Sequence, residues 1–115
     1  MNRTGIQHAS IAAEAINGLN HSDLTRSKDA YEVVISLKLL AQRLTLASTE
    51  TEQLVRAWYE AGRLRTSPSV STEATIAEFS EAMAQADQAA LALSFAYEAA
   101  GKALAHVGWN EESQP

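Results

Sequence analysis

An all-helical fold, an antiparallel hairpin of two long helices preceded by a short one, follows from three observations in this sequence. Alanine dominates, leucine and glutamate are plentiful and aromatic residues are few, a composition that favours helix over strand. Two long segments carry apolar residues at alternating steps of three and four, the period of a helix face that packs on another helix. The two prolines are Pro68, between those segments, and Pro115, so neither segment contains the residue that breaks helices most strongly.

The first element is short. Ile6, Ala9, Ala13 and Ile16 stand at helical spacing with Ala12 and Ala15 beside them, which predicts an amphipathic helix over about 8–19. Gly18, Asn20, His21, Ser22 and Asp23 then form a stop and a turn. Ser22 or Ser27 can cap the next helix, with Asp29 and Glu32 facing the positive end of its dipole.

The first long helix is expected over Lys28–Arg65. Its seam reads Ala30, Val33, Leu37, Leu40, Leu44, Ala47, Thr51, Leu54, Trp58 and Ala61, with Thr51 the one polar position. A flanking row of Val34, Ala41, Ser48 and Val55 widens this stripe. Thr49 with Glu52 matches a capping box, which places any break near Ser48–Glu52. No glycine or proline enforces one, and a continuous helix is the expectation. Gly62 loosens the last turn, and Thr66-Ser67-Pro68-Ser69 ends the helix.

The second long helix is expected over Thr72–Val107, capped by Ser71 or Thr72 with Glu73 in its first turn. Its seam is Ile76, Phe79, Met83, Ala86, Ala90, Leu93, Tyr97, Ala100, Leu104 and Val107, with no charged or amide residue. Alanine recurs every seventh position beside it, at Ala82, Ala89, Ala96 and Ala103. Gly108 is expected to end the helix with Trp109 folding back on it, and 109–115 to form a flexible tail. Each long helix would extend about 54 Å. A connection of about six residues forces the two antiparallel. The whole chain, 1–115, is read as a single helical domain.

Function classes fall away in turn. The chain has no cysteine, which removes disulfides, thiolate zinc sites and cysteine nucleophiles. A net charge of −5 opposes general affinity for nucleic acid, which relies on cationic side chains. No stretch reaches the ~18 apolar residues of a membrane span. The N-terminal apolar segment is interrupted by Gln7, His8, Ser10 and Glu14, unlike a signal peptide. A soluble, cytoplasmic protein is the expectation.

Chemistry is equally sparse. Glu78 and Glu81 stand at i, i+3, the spacing of a helical magnesium ligand pair, but a second acidic pair on a facing helix is required. His8, His21 and His106 lack the Glu-x-x-His spacing of di-iron bundles. The five glycines form no phosphate loop. No enzyme activity, metal or cofactor is therefore expected.

Association is expected instead. The short helix covers about a third of the hairpin, and the column Ala82, Ala89, Ala96, Ala103, continued by Leu91, Ala92 and Ala99, leaves apolar surface for a partner. Tyr59, outside the seam, is a candidate interface anchor, whereas Trp58 is placed in the packing. The partner is a second copy, completing a four-helix bundle, or another helical protein. The alternative is a small regulator touching nucleic acid or another anion through Arg56, Arg63 and Arg65.

Chain length, the paired helices and Trp58 resemble the WXG100 helical hairpins exported by type VII secretion, which implies an exported helical hairpin. The departures are specific. That family places Trp-x-Gly in the turn, whereas here Gly62 follows Trp58 by four residues, and Tyr97 is followed by Gly101 where the export signal needs an acid.

Overall fold

The computed structural model describes residues 4–20 and 27–108. Its described elements are three helices, α1 (Gly5–Asn20), α2 (Ser27–Glu60) and α3 (Thr72–Leu104). α2 and α3 pack along each other as the expected hairpin, while no Cα of α1 comes within 8 Å of either. The anticipated cap at Ser22, the fold-back of Trp109 and the tail 109–115 lie outside the described residues, as does His21.

Local chemistry sets each end. α1 begins three residues earlier than its apolar spacing suggests because Thr4 and Gln7 form a capping box. The Gln7 N–H donates to Thr4 Oγ1 at 3.2 Å, and the Thr4 N–H donates to Gln7 Oε1 at 2.8 Å. α2 runs without a break through Ser48–Glu52. It stops at Glu60 rather than Arg65, and Gly62 is the reason. With φ 73°, Gly62 adopts the left-handed conformation that only glycine reaches without strain. Its N–H donates to the Tyr59 carbonyl and the Arg63 N–H to the Trp58 carbonyl, the paired bonds of a Schellman cap.

The connection therefore spans residues 61–71 rather than about six positions. Inside it, the Val70 N–H closes a turn on the Ser67 carbonyl, with Pro68 in the second position that its fixed φ suits. Thr66 ties the loop shut, donating to the Val70 carbonyl at 2.6 Å and meeting the Thr72 hydroxyl at 3.0 Å. Ser71 caps α3, its hydroxyl accepting from the Ala74 N–H at 3.2 Å. α3 ends at Leu104, three residues short of Val107.

The packed rows correct the seams read from the sequence. On α2 the sheltered positions are Val34, Lys38, Ala41, Thr45, Ser48, Glu52, Val55 and Tyr59. The flanking row is thus the packed one. The anticipated seam is half-buried at Ala30, Val33, Leu37 and Leu40, and exposed from Leu44 onward. On α3 half of the expected seam holds: Ile76, Met83, Ala90, Tyr97 and Leu104 are sheltered. Four others shift by one residue, with Ser80, Asp87, Ser94 and Gly101 packed where Phe79, Ala86, Leu93 and Ala100 were expected. Of these, Phe79 is half-buried and the other three are exposed. Val107 lies exposed beyond α3.

Small side chains explain the choice. Ala41 and Ser94 are buried, and a Cβ on Gly101 would stand 3.2 Å from Ile35 Cδ1. Such residues let two backbones approach closely, whereas rows of leucine would hold them apart. Most of the polar members find partners in place. Thr45 and Ser94 donate back to carbonyls of their own helices, Ala41 and Leu91. Three contacts cross the hairpin: Lys38 with Glu98 at 3.6 Å, Thr49 donating to Asp87 Oδ2 at 3.0 Å, and Ser80 donating to Glu52 Oε1 at 2.8 Å.

Candidate interaction face

Within α2, every exposed member of the anticipated seam stands one residue before a packed position: Leu44 before Thr45, Ala47 before Ser48, Thr51 before Glu52, Leu54 before Val55, Trp58 before Tyr59. The same holds on α3 for Ala82, Ala86, Ala89, Leu93, Ala96, Ala100 and Ala103. One residue is about 100° around a helix. In an antiparallel pair the positions preceding the packed row turn to the same side on both helices, as equivalent flanks of an antiparallel coiled coil do. The two rows therefore form one continuous face, and Thr51 is its only polar member from Leu44 to Trp58 and from Ala82 to Ala103.

This face is open. Leu44, Leu54, Trp58 and Leu93 keep 45%, 49%, 39% and 42% of their surface exposed. The opposite flank, one residue after each packed position, mixes Ile35, Leu39, Leu46, Leu91 and Phe95 with Gln42, Gln53, Arg56, Glu81, Glu98 and Lys102. Apart from Ile35 and Glu98, which are half-buried at the hairpin contact, it is a solvated surface with scattered apolar groups, which is ordinary.

The predicted interface residues separate accordingly. Ala82, Ala89, Ala96 and Ala103 lie on the open face. Ala92 and Ala99 are exposed on the outer side of α3, and Leu91 is half exposed on the opposite flank. The aromatic pair exchanges places: Trp58 is exposed, and Tyr59, expected outside the packing, is half-buried in it.

α1 stands across an apolar trough from α2. The trough encloses about 840 Å3, with Ala9, Ala12, Ala13 and Ile16 of α1 facing Leu40, Leu44, Ala47 and Leu54 of α2. Glu50 and His8 are the titratable residues in its lining. α1 leaves this space unfilled, because none of its residues is buried.

The arginines do not form one patch on a helix face. Arg56 pairs with Glu52 one turn earlier, whereas Arg63 and Arg65 lie beyond the end of α2. Glu52 is held below the usual carboxylate range, first by the Ser80 hydroxyl and further by Arg56, against an opposing effect of desolvation. Glu78 and Glu81 are exposed. Among the described residues, no group of three or more His, Cys, Asp or Glu side chains is placed to hold a metal, and no helix is long and apolar enough to cross a membrane.

No protein-family model, characterised protein or solved structure matches this chain. The apolar periodicity reads Leu44, Leu54, Trp58 and Leu93 of the open face as packed residues, one helical position from the row that packs. The signal that could have located it is the coincidence of Thr49 and Glu52 on α2 with Ser80 and Asp87 on α3, polar residues that find partners only if they face each other.

Proposed function

We propose that this chain is a non-enzymatic helical interaction module that dimerises through its open apolar face and completes a four-helix bundle. The observation that carries this reading is the alignment of the two exposed apolar rows on one flank of the hairpin. Ala41 is the only buried hydrophobic residue among those described. A hairpin with so small a core gains little from its own packing. Covering the open face would supply the missing burial, at about 25 cal/mol for each Å2 of apolar surface removed from water.

A helical bundle has no need of a catalytic centre to act; it can hold, bridge or sequester what it binds, and the mixed opposite flank would remain outside for that purpose. Sedimentation equilibrium at micromolar concentration is the test. A dimer whose melting temperature rises with protein concentration is the expected result. A monomer with a full cooperative melt would overturn the reading.

A further inference from the structure

The open face has an internal asymmetry that selects its occupant. On α2 it carries bulky residues, Leu40, Leu44, Leu54 and Trp58, whereas on α3 alanine predominates. The two halves are also in register. Ile35 meets the position of Gly101, Lys38 pairs with Glu98 and Thr49 bonds Asp87. By the same register Leu40 is level with Ala96, Ala47 with Ala89, and Leu54 with Ala82.

We infer that the face is covered by a second copy with both hairpin turns at the same end, so that α2 of each chain lies along α3 of the other. This rests on the dimeric reading above and specifies its geometry. A two-fold axis parallel to the helices brings α2 over the partner's α3, antiparallel to it and at the same level. Two of the bulky α2 residues then meet an alanine, Leu40 on Ala96 and Leu54 on Ala82, while Leu44 comes beside Leu93 and Trp58 beside Phe79. The other two-fold arrangement, with turns at opposite ends, sets α2 on α2 and α3 on α3. It would press leucine and tryptophan rows together at one side while alanine rows gape at the other, and helices pack at an even 8–10 Å only when the facing side chains match in bulk. The self-matching of one face is what an isologous contact between identical chains requires.

The surface area is of the right size. A folded monomer of 12.4 kDa exposes about 6,100 Å2. This chain exposes 9042 Å2. Counting the sixteen residues outside the described segments as fully unfolded chain still leaves an excess of about 1,000 Å2, shared between the open face and α1, none of whose residues is buried. A stable interface needs about 800 Å2 from each partner. The partner's α3 also lies on the α2 wall of the trough between α1 and α2, at Leu40, Leu44 and Leu54.

The absence of cysteine makes cross-linking a clean test. Chains carrying Leu40→Cys and differently tagged chains carrying Ala96→Cys are unfolded together, refolded and oxidised. A disulfide-linked heterodimer in the mixture, with no covalent dimer from either chain alone, is expected; Leu54→Cys with Ala82→Cys repeats the test at the other end. Two results overturn the arrangement while leaving the dimer intact. One is a homotypic disulfide from Ala89→Cys alone, which sets α3 on α3. The other is the absence of cross-links from both pairs in a protein that sediments as a dimer. A protein that sediments as a monomer removes the dimeric reading itself.

Discussion

Two rows of residues, one position apart on the same helices, have opposite fates. The row beginning at Val34 and running through Ala41, Ser48 and Val55 is packed, though it includes a lysine, a glutamate, a threonine and a serine at its intervening and central positions. The row before it, with Leu44, Leu54 and Trp58, is left open although it is far more apolar. Burying the most hydrophobic surface first would have produced the reverse. The difference teaches that, within this hairpin, close approach and paired polar groups determine which faces meet, and the apolar row is left exposed.

Polar pairing also fixes register in a way that apolar rows do not. Thr49 reaches Asp87 and Ser80 reaches Glu52 only in one alignment; sliding either helix by a turn would leave those groups unpartnered in a sheltered seam, at about 1–3 kcal/mol each. A row of leucines and alanines tolerates such slippage far better. The packed seam thus carries specificity, and the open row carries the exposed apolar surface. One orphan remains in the seam: Asp87 Oδ1 is buried without a hydrogen-bond partner.

Charging the open row should have the largest effect. Leu44→Glu with Leu93→Glu places four carboxylates in the proposed dimer while leaving the hairpin's own packed positions intact. Full burial is worth about 1.5–3 kcal/mol per leucine. Leu44 and Leu93 keep 45% and 42% of their surface exposed, so the four lose about 3–5 kcal/mol, comparable to the roughly 4 kcal/mol of a 1,000-fold weaker association. Sedimentation should therefore show a monomer at concentrations where the unaltered chain is paired. If the double variant dimerises as before, the open row is not the contact and the contrast between the two rows loses its functional meaning.

How much of this was legible beforehand divides along the same line. The helix count, the antiparallel hairpin, the continuity of α2 through Ser48–Glu52 and the Ser71 cap all follow from local pattern, and the structure has them. The packed rows do not follow, because periodicity shows that a helix has faces without showing which face meets which neighbour. Thr49 and Glu52 looked like a capping box because a sequence shows only neighbours along the chain; their partners are Asp87 and Ser80, across the hairpin. The helix end at Glu60 was missed for a different reason. Gly62 permits a positive φ but does not demand one, and the Schellman bonds to Trp58 and Tyr59 decide it. For the candidate site, the alanine column was legible as free surface, whereas the bulky half of the same face was assigned to the packing.

Gly101 sharpens the comparison from the packed side. A leucine there must displace Ile35, since even a Cβ comes within 3.2 Å of it, and overpacking of this kind costs about 1–3 kcal/mol. A lower melting temperature is expected for Gly101→Leu, while Ala100→Leu, one position away on the open row, should leave the separated hairpin's melt unchanged. For Gly101→Ala, the gain of about 1 kcal/mol in helix propensity opposes the tight contact, and a change far smaller than that of Gly101→Leu is expected. Equal losses at positions 100 and 101 would mean that the two rows are not distinct environments.

Acidification tests the packed seam alone and should have the smallest effect. Glu52 has its folded pKa below the 4.5 of an unperturbed glutamate, chiefly because Ser80 donates to its ionised form and Arg56 sits beside it. A depressed acid stabilises the folded state above its unfolded pKa, and that stabilisation is lost as pH falls through the folded value. Melting temperatures of the unaltered chain and of Glu52→Gln, followed from pH 6 to pH 3, should therefore differ most at the upper end and converge at the lower. The open row has no ionisable group from Leu44 to Trp58 or from Ala82 to Ala103, so a dimer resting on it should weaken over this range only as far as the hairpin beneath it loosens. A gap between the two melting curves that widens on acidification would mean that Glu52 does not hold its charge against Ser80, and the polar seam would lose one of its two hydrogen-bonded crossings.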